Sequence, residues 1–224
     1  MAPNLSLVKL AKVLRAGYIL VRDPNRLDEV IGLADELGND QAFDAILVHV
    51  RATEDGRAAL RDRPRVRVDL PRLRALLDGS FGREAARFLD ERGLDPGDLP
   101  HRPGTTDSQW LRAHLLESHD LWHVATGFNT DVPGEAGLQA FYLAQFPGRL
   151  PAVLLSILFA NMFLYKFEET DARMDAIARG WAMGKRAEQL LGVRWGELFE
   201  LPLSEVRARL RLPVAGLPGQ PISA

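Results

Sequence analysis

The sequence predicts an all-α protein, a single-domain bundle of many helices with a central apolar helix. Three observations lead there. Apolar residues return at spacings of three and four in nearly every segment. Serine, proline and glycine punctuate those segments where helices start and stop. "LPAVLLSILFANMFLY" (150–165) is broken only by Ser156 and Asn161, and a helix apolar on nearly every side belongs in the middle of a protein.

The elements follow in order. Near the start, Lys9, Lys12 and Arg15 mark one face of an amphipathic helix, and Leu7, Leu10, Val13 and Leu14 mark another. The basic residues interrupt what would be the core of a signal peptide. A packed surface helix is the expectation, with a helix lying on a membrane as the alternative. "RLDEVIGLADELGN" places Leu27, Val30, Ile31, Ala34 and Leu37 at helical spacing, closed by Gly38, and "DQAFDAILVHV" repeats the pattern. "DGRAALRDRP" gives a turn and one or two helical turns, and "DLPRLRALLDG" a short helix. "SFGREAARFLDERG" has Ser80 as N-cap and Gly93 as stop. The irregular stretch 94–107 separates a smaller set of helices from a larger one without dividing the domain. A long helix runs from about Asp107 to Thr126 and stops at Gly127, and the next starts near Pro133. The apolar segment 150–165 falls short of the ~20 residues a bilayer span needs, so it forms core or walls a long apolar cavity. "TDARMDAIARGWAMGKRAEQLLG" reads as a helix of about six turns, and "PLSEVRARLRL" as a short last one. The domain covers 1–212, and the Pro/Gly stretch 213–224 is a loose tail.

Composition narrows the function classes. The formal net charge of −2 lacks the basic surplus that nucleic-acid binding demands. The chain has no cysteine, which removes disulfides and thiolate sites and leaves any metal to His, Asp and Glu.

Those residue types gather in "HDLWHVATGFNTDVPGE" (119–135). At ~100° per residue, His119 and His123 share a helix face one turn apart, and Asp120 lies ~60° from His123. The loop before Pro133 is long enough to reverse the chain and bring Glu135 back beside them. Inward-facing imidazole and carboxylate groups on neighbouring helices are how bundle metal sites are built. Each residue is ordinary singly, and their combination on adjoining helix ends predicts a metal site. The spacing of the histidines also suits an HExxH zinc hydrolase, but Asp120 stands at the base position, one methylene short. His114 and Glu117 precede the motif, with surface exposure expected and orientation of an imidazole the alternative. Arg112, Arg179, Lys185 and Arg186 are read as solvated cations, with an anionic ligand as the alternative for each.

HDxxH followed after eleven residues by Glu resembles the motif of the Coq-four family of ubiquinone (coenzyme Q) biosynthesis proteins. "GRAALRDRPRV" (56–66) is similar to that family's Gly-Arg-x-x-Leu-x-x-x-Pro segment, and 179–210 to its C-terminal run, with Gly180, Trp195 and Arg207 in place. The start lacks a mitochondrial targeting extension, so a bacterial-type member is expected. The resemblance implies an all-helical, metal-binding protein with His119, Asp120, His123 and Glu135 as ligands and zinc as the usual ion. It implies binding of an isoprenoid quinone precursor or prenyl lipid, and work with other ubiquinone-biosynthesis proteins at a membrane surface. A cytoplasmic homo-oligomer is expected, with a peripheral position at the inner face of the cytoplasmic membrane as the alternative. It further implies oxidative decarboxylation of the quinone-ring precursor, with Asp120 and Glu135 as catalytic carboxylates, or a non-catalytic role as organiser and lipid carrier. Four such ligands around zinc make a closed, structural-looking site, so catalysis needs one carboxylate to swing away or the coordination number to rise. Zinc has no redox chemistry, and the N/O donors also suit iron or manganese.

Overall fold

The computed structural model describes residues 7–38, 40–100 and 102–212. Among them are eleven α-helices: α1 Leu7–Arg22, α2 Leu27–Leu37, α3 Asp40–Arg51, α4 Glu54–Asp62, α5 Leu70–Arg74, α6 Phe81–Arg92, α7 Asp107–Thr126, α8 Val132–Gln145, α9 Arg149–Tyr165, α10 Thr170–Arg186 and α11 Leu203–Arg209. No strand forms among the described residues, only one isolated bridge between Ser80 and Pro202. The all-α prediction therefore holds.

Local chemistry sets the boundaries that position the site. The Thr106 side chain accepts the Gln109 N–H while the Gln109 side chain returns to the Thr106 backbone, a capping box that starts α7. Gly127 ends α7 at φ 76°, a left-handed conformation costly for any residue with a β-carbon. Asp131 accepts the Gly134 N–H and starts α8, with Pro133 in its first turn. Ser80 and Gly93 bound α6 as their types predict.

The main core joins residues from Ile46 to Leu212, on both sides of the irregular 94–107 stretch, around Trp110, Trp122, Phe141 and Trp195. Helices α8 and α10 meet backbone to backbone, so that a β-carbon at Gly180 would fall 1.9 Å from the Gly137 carbonyl oxygen. A smaller cluster of Ala16, Leu20, Leu33 and Ile157 holds α1 and α2 against α9.

Three expectations change. Helix α10 ends at Arg186 rather than running on through 192. There the Gln145 side chain accepts the Leu190 N–H at 2.9 Å and donates to the Gly184 carbonyl at 2.9 Å, while Leu190 and Leu191 turn into the core. Tertiary burial of two leucines outweighs continuation of a helix whose own propensity is adequate. Helix α9 is not central. It buries Pro151, Leu155, Ile157, Leu158 and Asn161, but Phe159, Phe163, Leu164 and Tyr165 are exposed, Phe163 at 74%. Among the described residues its neighbours cover one side only. Helix α1 packs through Val13, Ala16 and Leu20, while Leu7, Leu10, Leu14 and Tyr18 form an outward stripe. The tail from 213 lies outside the described residues.

Candidate metal centre

The site is built where α7 ends and α8 begins. The last carbonyls of α7 have no partner within the helix, and Arg207 supplies one from α11. Its Nε donates to the Ala125 carbonyl at 2.9 Å and its Nη2 to that of Val124 at 3.1 Å. After Gly127, Phe128 is buried, with its ring under the Arg179 guanidinium at 4.6 Å and against Gly137. This pins the Phe128 carbonyl beside His123, whose Nδ1 lies 3.1 Å from it. A carbonyl only accepts, so Nδ1 carries a proton and Nε2 is the ring nitrogen left to face the other groups.

That nitrogen meets two other potential ligand atoms. His123 Nε2 is 3.3 Å from His119 Nε2 and 3.2 Å from Glu135 Oε1. The ligating atoms of His119, His123 and Glu135 lie within 4.8 Å of one another. The two imidazoles meet edge to face at 4.8 Å, and Phe88 stacks on His123 at 5.5 Å. Lone pairs facing one another are relieved by a cation or a proton between them, so the donor set fits a divalent ion. Three donors of the types His, His and Glu are the number that leaves a zinc ion an open position for a ligand. The groups around the donors also fit: Phe128 orients His123, and Tyr142 Oη lies 3.1 Å from His119 Nδ1.

Electrostatics agree with this arrangement. Burial, then the neighbouring His123, holds His119 below the ordinary histidine value. For Glu135, burial works to raise the carboxyl. The His123 hydrogen bond, the charge interactions with both imidazoles and the Gln139 hydrogen bond together outweigh it and hold the group low. Burial, then the charges of Glu135 and Asp120, raises Tyr142 well above the ordinary phenol.

Asp120 is half-buried and stands outside the three-atom convergence, although its charge acts on both His119 and Tyr142. His114, expected at the surface, is fully buried and accepts the Gly192 N–H at 3.1 Å through Nε2, away from the metal donors. Glu117 takes a forked ion pair from Arg65, with Nε at 3.0 Å from each oxygen. Arg179 lies over Phe128, and Lys185 over Trp181 at 5.7 Å, so neither is simply solvated.

Beside the centre runs an apolar cavity of about 250 Å³ between α2, α7, α8 and the start of α9. Leu115, Leu116, Leu150 and Leu154 line it, and His119, Gln139 and Tyr142 close one part of its wall. Arg102 and Arg112 also reach it, both pairing with Asp35. Sequence reasoning missed Tyr142 and Gln139. The signal was present, because Glu135, Gln139 and Tyr142 stand at i, i+4 and i+7, a polar stripe on a mostly apolar helix.

Fold and site together define a helical protein that sets a histidine–carboxylate cluster against an apolar cavity. Comparison with known proteins places it within that class. The profile of the family described as "Coenzyme Q (ubiquinone) biosynthesis protein Coq4" matches residues 2–215. The chain belongs to the Coq4 family. It is 31% identical over 216 residues to the mitochondrial ubiquinone biosynthesis protein COQ4 of Pyricularia oryzae, covering 91% of this chain and 70% of that one. It is 29% identical over 201 residues to the mitochondrial COQ4 homolog of Nematostella vectensis, covering 86% and 95%. A crystal structure of a ubiquinone biosynthesis protein from Nostoc punctiforme matches with a TM-score of 0.78 at 28% identity, covering 91% of this chain and 98% of that one.

Proposed function

We propose that this chain is a metal-dependent enzyme of ubiquinone biosynthesis that binds a prenylated, carboxylated phenol and replaces its ring carboxylate by a hydroxyl. The observation that carries the reading is the junction of an apolar cavity with convergent His119, His123 and Glu135 donors, His119 belonging to both. A divalent cation held there, zinc by first expectation and iron or manganese by the same donor chemistry, supplies Lewis acidity toward an oxyanion of the ring.

The chain's own groups do the rest. The leucines of the cavity take the isoprenoid tail and exclude water from the ring end. Gln139 holds the Glu135 carboxylate, and the Phe128 carbonyl holds the His123 ring. Asp120 is a carboxylate beside the ring site that does not converge with the three donors, which suits it to proton transfer. In the overall reaction the bond between ring carbon and carboxyl carbon breaks and CO2 leaves. Dioxygen supplies the new hydroxyl oxygen, and a two-electron donor reduces its second atom to water.

A second reading, an organiser and lipid carrier of the biosynthetic complex, draws support from the apolar side chains exposed on α1 and α9. Helix α1 also carries four basic and no acidic residues, a composition suited to an anionic lipid surface. Among the described residues no helix is long and apolar enough to cross a membrane. The readings part on Asp120→Ala and Glu135→Ala. The enzyme reading expects turnover of a prenylated hydroxybenzoate to fall at least about 10²-fold while helicity and lipid binding persist. Full complementation of a pathway-deficient strain by both variants would leave the organiser.

A further inference from the structure

Resting on the reading that the cavity takes a carboxylated prenyl phenol, we infer that Arg102 and Arg112 form its carboxylate-recognition subsite, which tells the substrate from the decarboxylated product. Arg112 stands on α7 and Arg102 on the stretch before it, and both line the cavity wall. Their Nη2 groups converge on one and the same oxygen, Oδ1 of Asp35 on α2, that of Arg102 at 2.8 Å. Among the described residues Asp35 is the only acid paired with either guanidinium. It is also the outermost of the three, its side chain 44% exposed against 25% for Arg102 and 29% for Arg112. Two cations therefore share one anion at the mouth of a cavity whose wall is otherwise mostly apolar.

The count leaves one positive charge uncompensated. A cation drawn partly out of water into an apolar wall is costly unless an anion meets it. A ligand carboxylate supplies that anion, and guanidinium groups hold carboxylates through paired N–H···O contacts. Arg102 engages Asp35 through Nη2 alone among the described residues, so its Nε and Nη1 remain to donate. A hydroxyl in the carboxylate's place brings no charge, and Asp35 then keeps both arginines. The two ligands are separated by this difference in affinity, not by shape. Arg112 and His119 are seven residues apart, two turns or about 10 Å along one face of α7, with Leu115 and Leu116 between them. A carboxylate on the arginine pair thus stands clear of His119, His123 and Glu135. It is read where the ligand enters, and the ring moves inward to react.

Calorimetric titration tests the subsite with three probes: a farnesylated hydroxybenzoate, the farnesylphenol that lacks its carboxylate, and farnesyl phosphate. Any contribution from the His119 end is common to wild type and variants and drops out of the comparison. Arg102→Gln combined with Arg112→Gln should reduce the preference for hydroxybenzoate over farnesylphenol by about tenfold. Asp35→Asn removes the competing anion and should enlarge that preference several-fold. An ion triad that merely braced α2 against α7 would lose by both changes, and equally for both ligands. The stretch bearing Arg102 keeps its tether in the variants, because Arg65 Nη2 donates to the Arg102 carbonyl at 3.0 Å. Farnesylphenol affinity should be unchanged in all three proteins. An undiminished preference in a double variant that still binds farnesylphenol overturns the subsite, as does a wild type with no preference. If the double variant loses farnesylphenol as well, Asp35→Asn decides alone, and a preference no larger than that of wild type overturns the inference. Farnesyl phosphate bound more tightly than the hydroxybenzoate, with the same dependence on the arginines, would overturn the assignment to a ring carboxylate. A wild type that takes none of the three probes overturns the proposed function instead.

Discussion

His123 and His114 are the two fully buried histidines of α7, and their partners give them opposite roles. At His123 the Phe128 carbonyl claims Nδ1 and leaves Nε2 facing other donors. At His114 the Gly192 N–H claims Nε2, so protonation there would break a buried hydrogen bond. Burial holds His114 at about 4 against an ordinary 6.5. The sign follows. Between these values the unfolded chain takes up a proton that the folded chain refuses, so stability is complete above about 6.5 and is lost as pH falls toward 4. The loss is on the order of 3 kcal/mol. Urea unfolding at pH 7 and pH 4.5 measures it, with His114→Asn as a comparison that keeps an acceptor without the titration. A wild-type loss no larger than the variant's would remove the argument. The HDxxH spacing put His119 and His123 on one helix face, but nothing local told His114 from a surface residue. Its burial depends on Gly192, remote in sequence.

Helices α10 and α1 show what a single β-carbon does at two kinds of glycine. Gly180 sits where the backbones of α8 and α10 touch, and Gly17 of α1 has no atom within 4 Å of where a β-carbon would lie. Gly180→Ala should therefore destabilise by about 1–3 kcal/mol through overpacking. If a cation occupies the site as proposed, the variant should also bind zinc less tightly, since α8 carries Glu135. Gly17→Ala should stabilise by about 0.5–1 kcal/mol, because alanine loses less backbone entropy in a helix. Thermal unfolding of both variants tests the pair, and a stabilised Gly180→Ala would refute the close approach. Most helix boundaries were legible, since caps such as Ser80, Gly93 and Gly127 act within a turn. The end of α10 was not, because Gln145 on another helix decides it.

At the scale of the whole molecule, the outward faces of α1 and α9 leave apolar area without a partner among the described residues. Leu7 is 85% exposed, and Phe163, Leu164 and Phe167 continue the apolar surface beyond the core-facing part of α9. Both helices belong to the same small cluster with α2, and α2 and α9 wall the cavity. A lipid surface on this side would lie next to the apolar cavity. Leu14→Asp combined with Phe163→Asp should weaken co-sedimentation with vesicles containing phosphatidylglycerol by about tenfold or more, with little change in Tm. Undiminished sedimentation would count against a lipid partner for this face.

The sequence by itself determined the all-α class, most helix ends, and the gathering of His119, Asp120, His123 and Glu135 at one junction. Periodicity, capping and turn reversal are local, and each acts within a few residues. Only the tertiary structure decided that three of those four side chains converge and that Tyr142 joins them. It also decided that the longest apolar helix turns part of itself outward. Those outcomes depend on which faces of remote helices meet, which spacing along one chain does not encode.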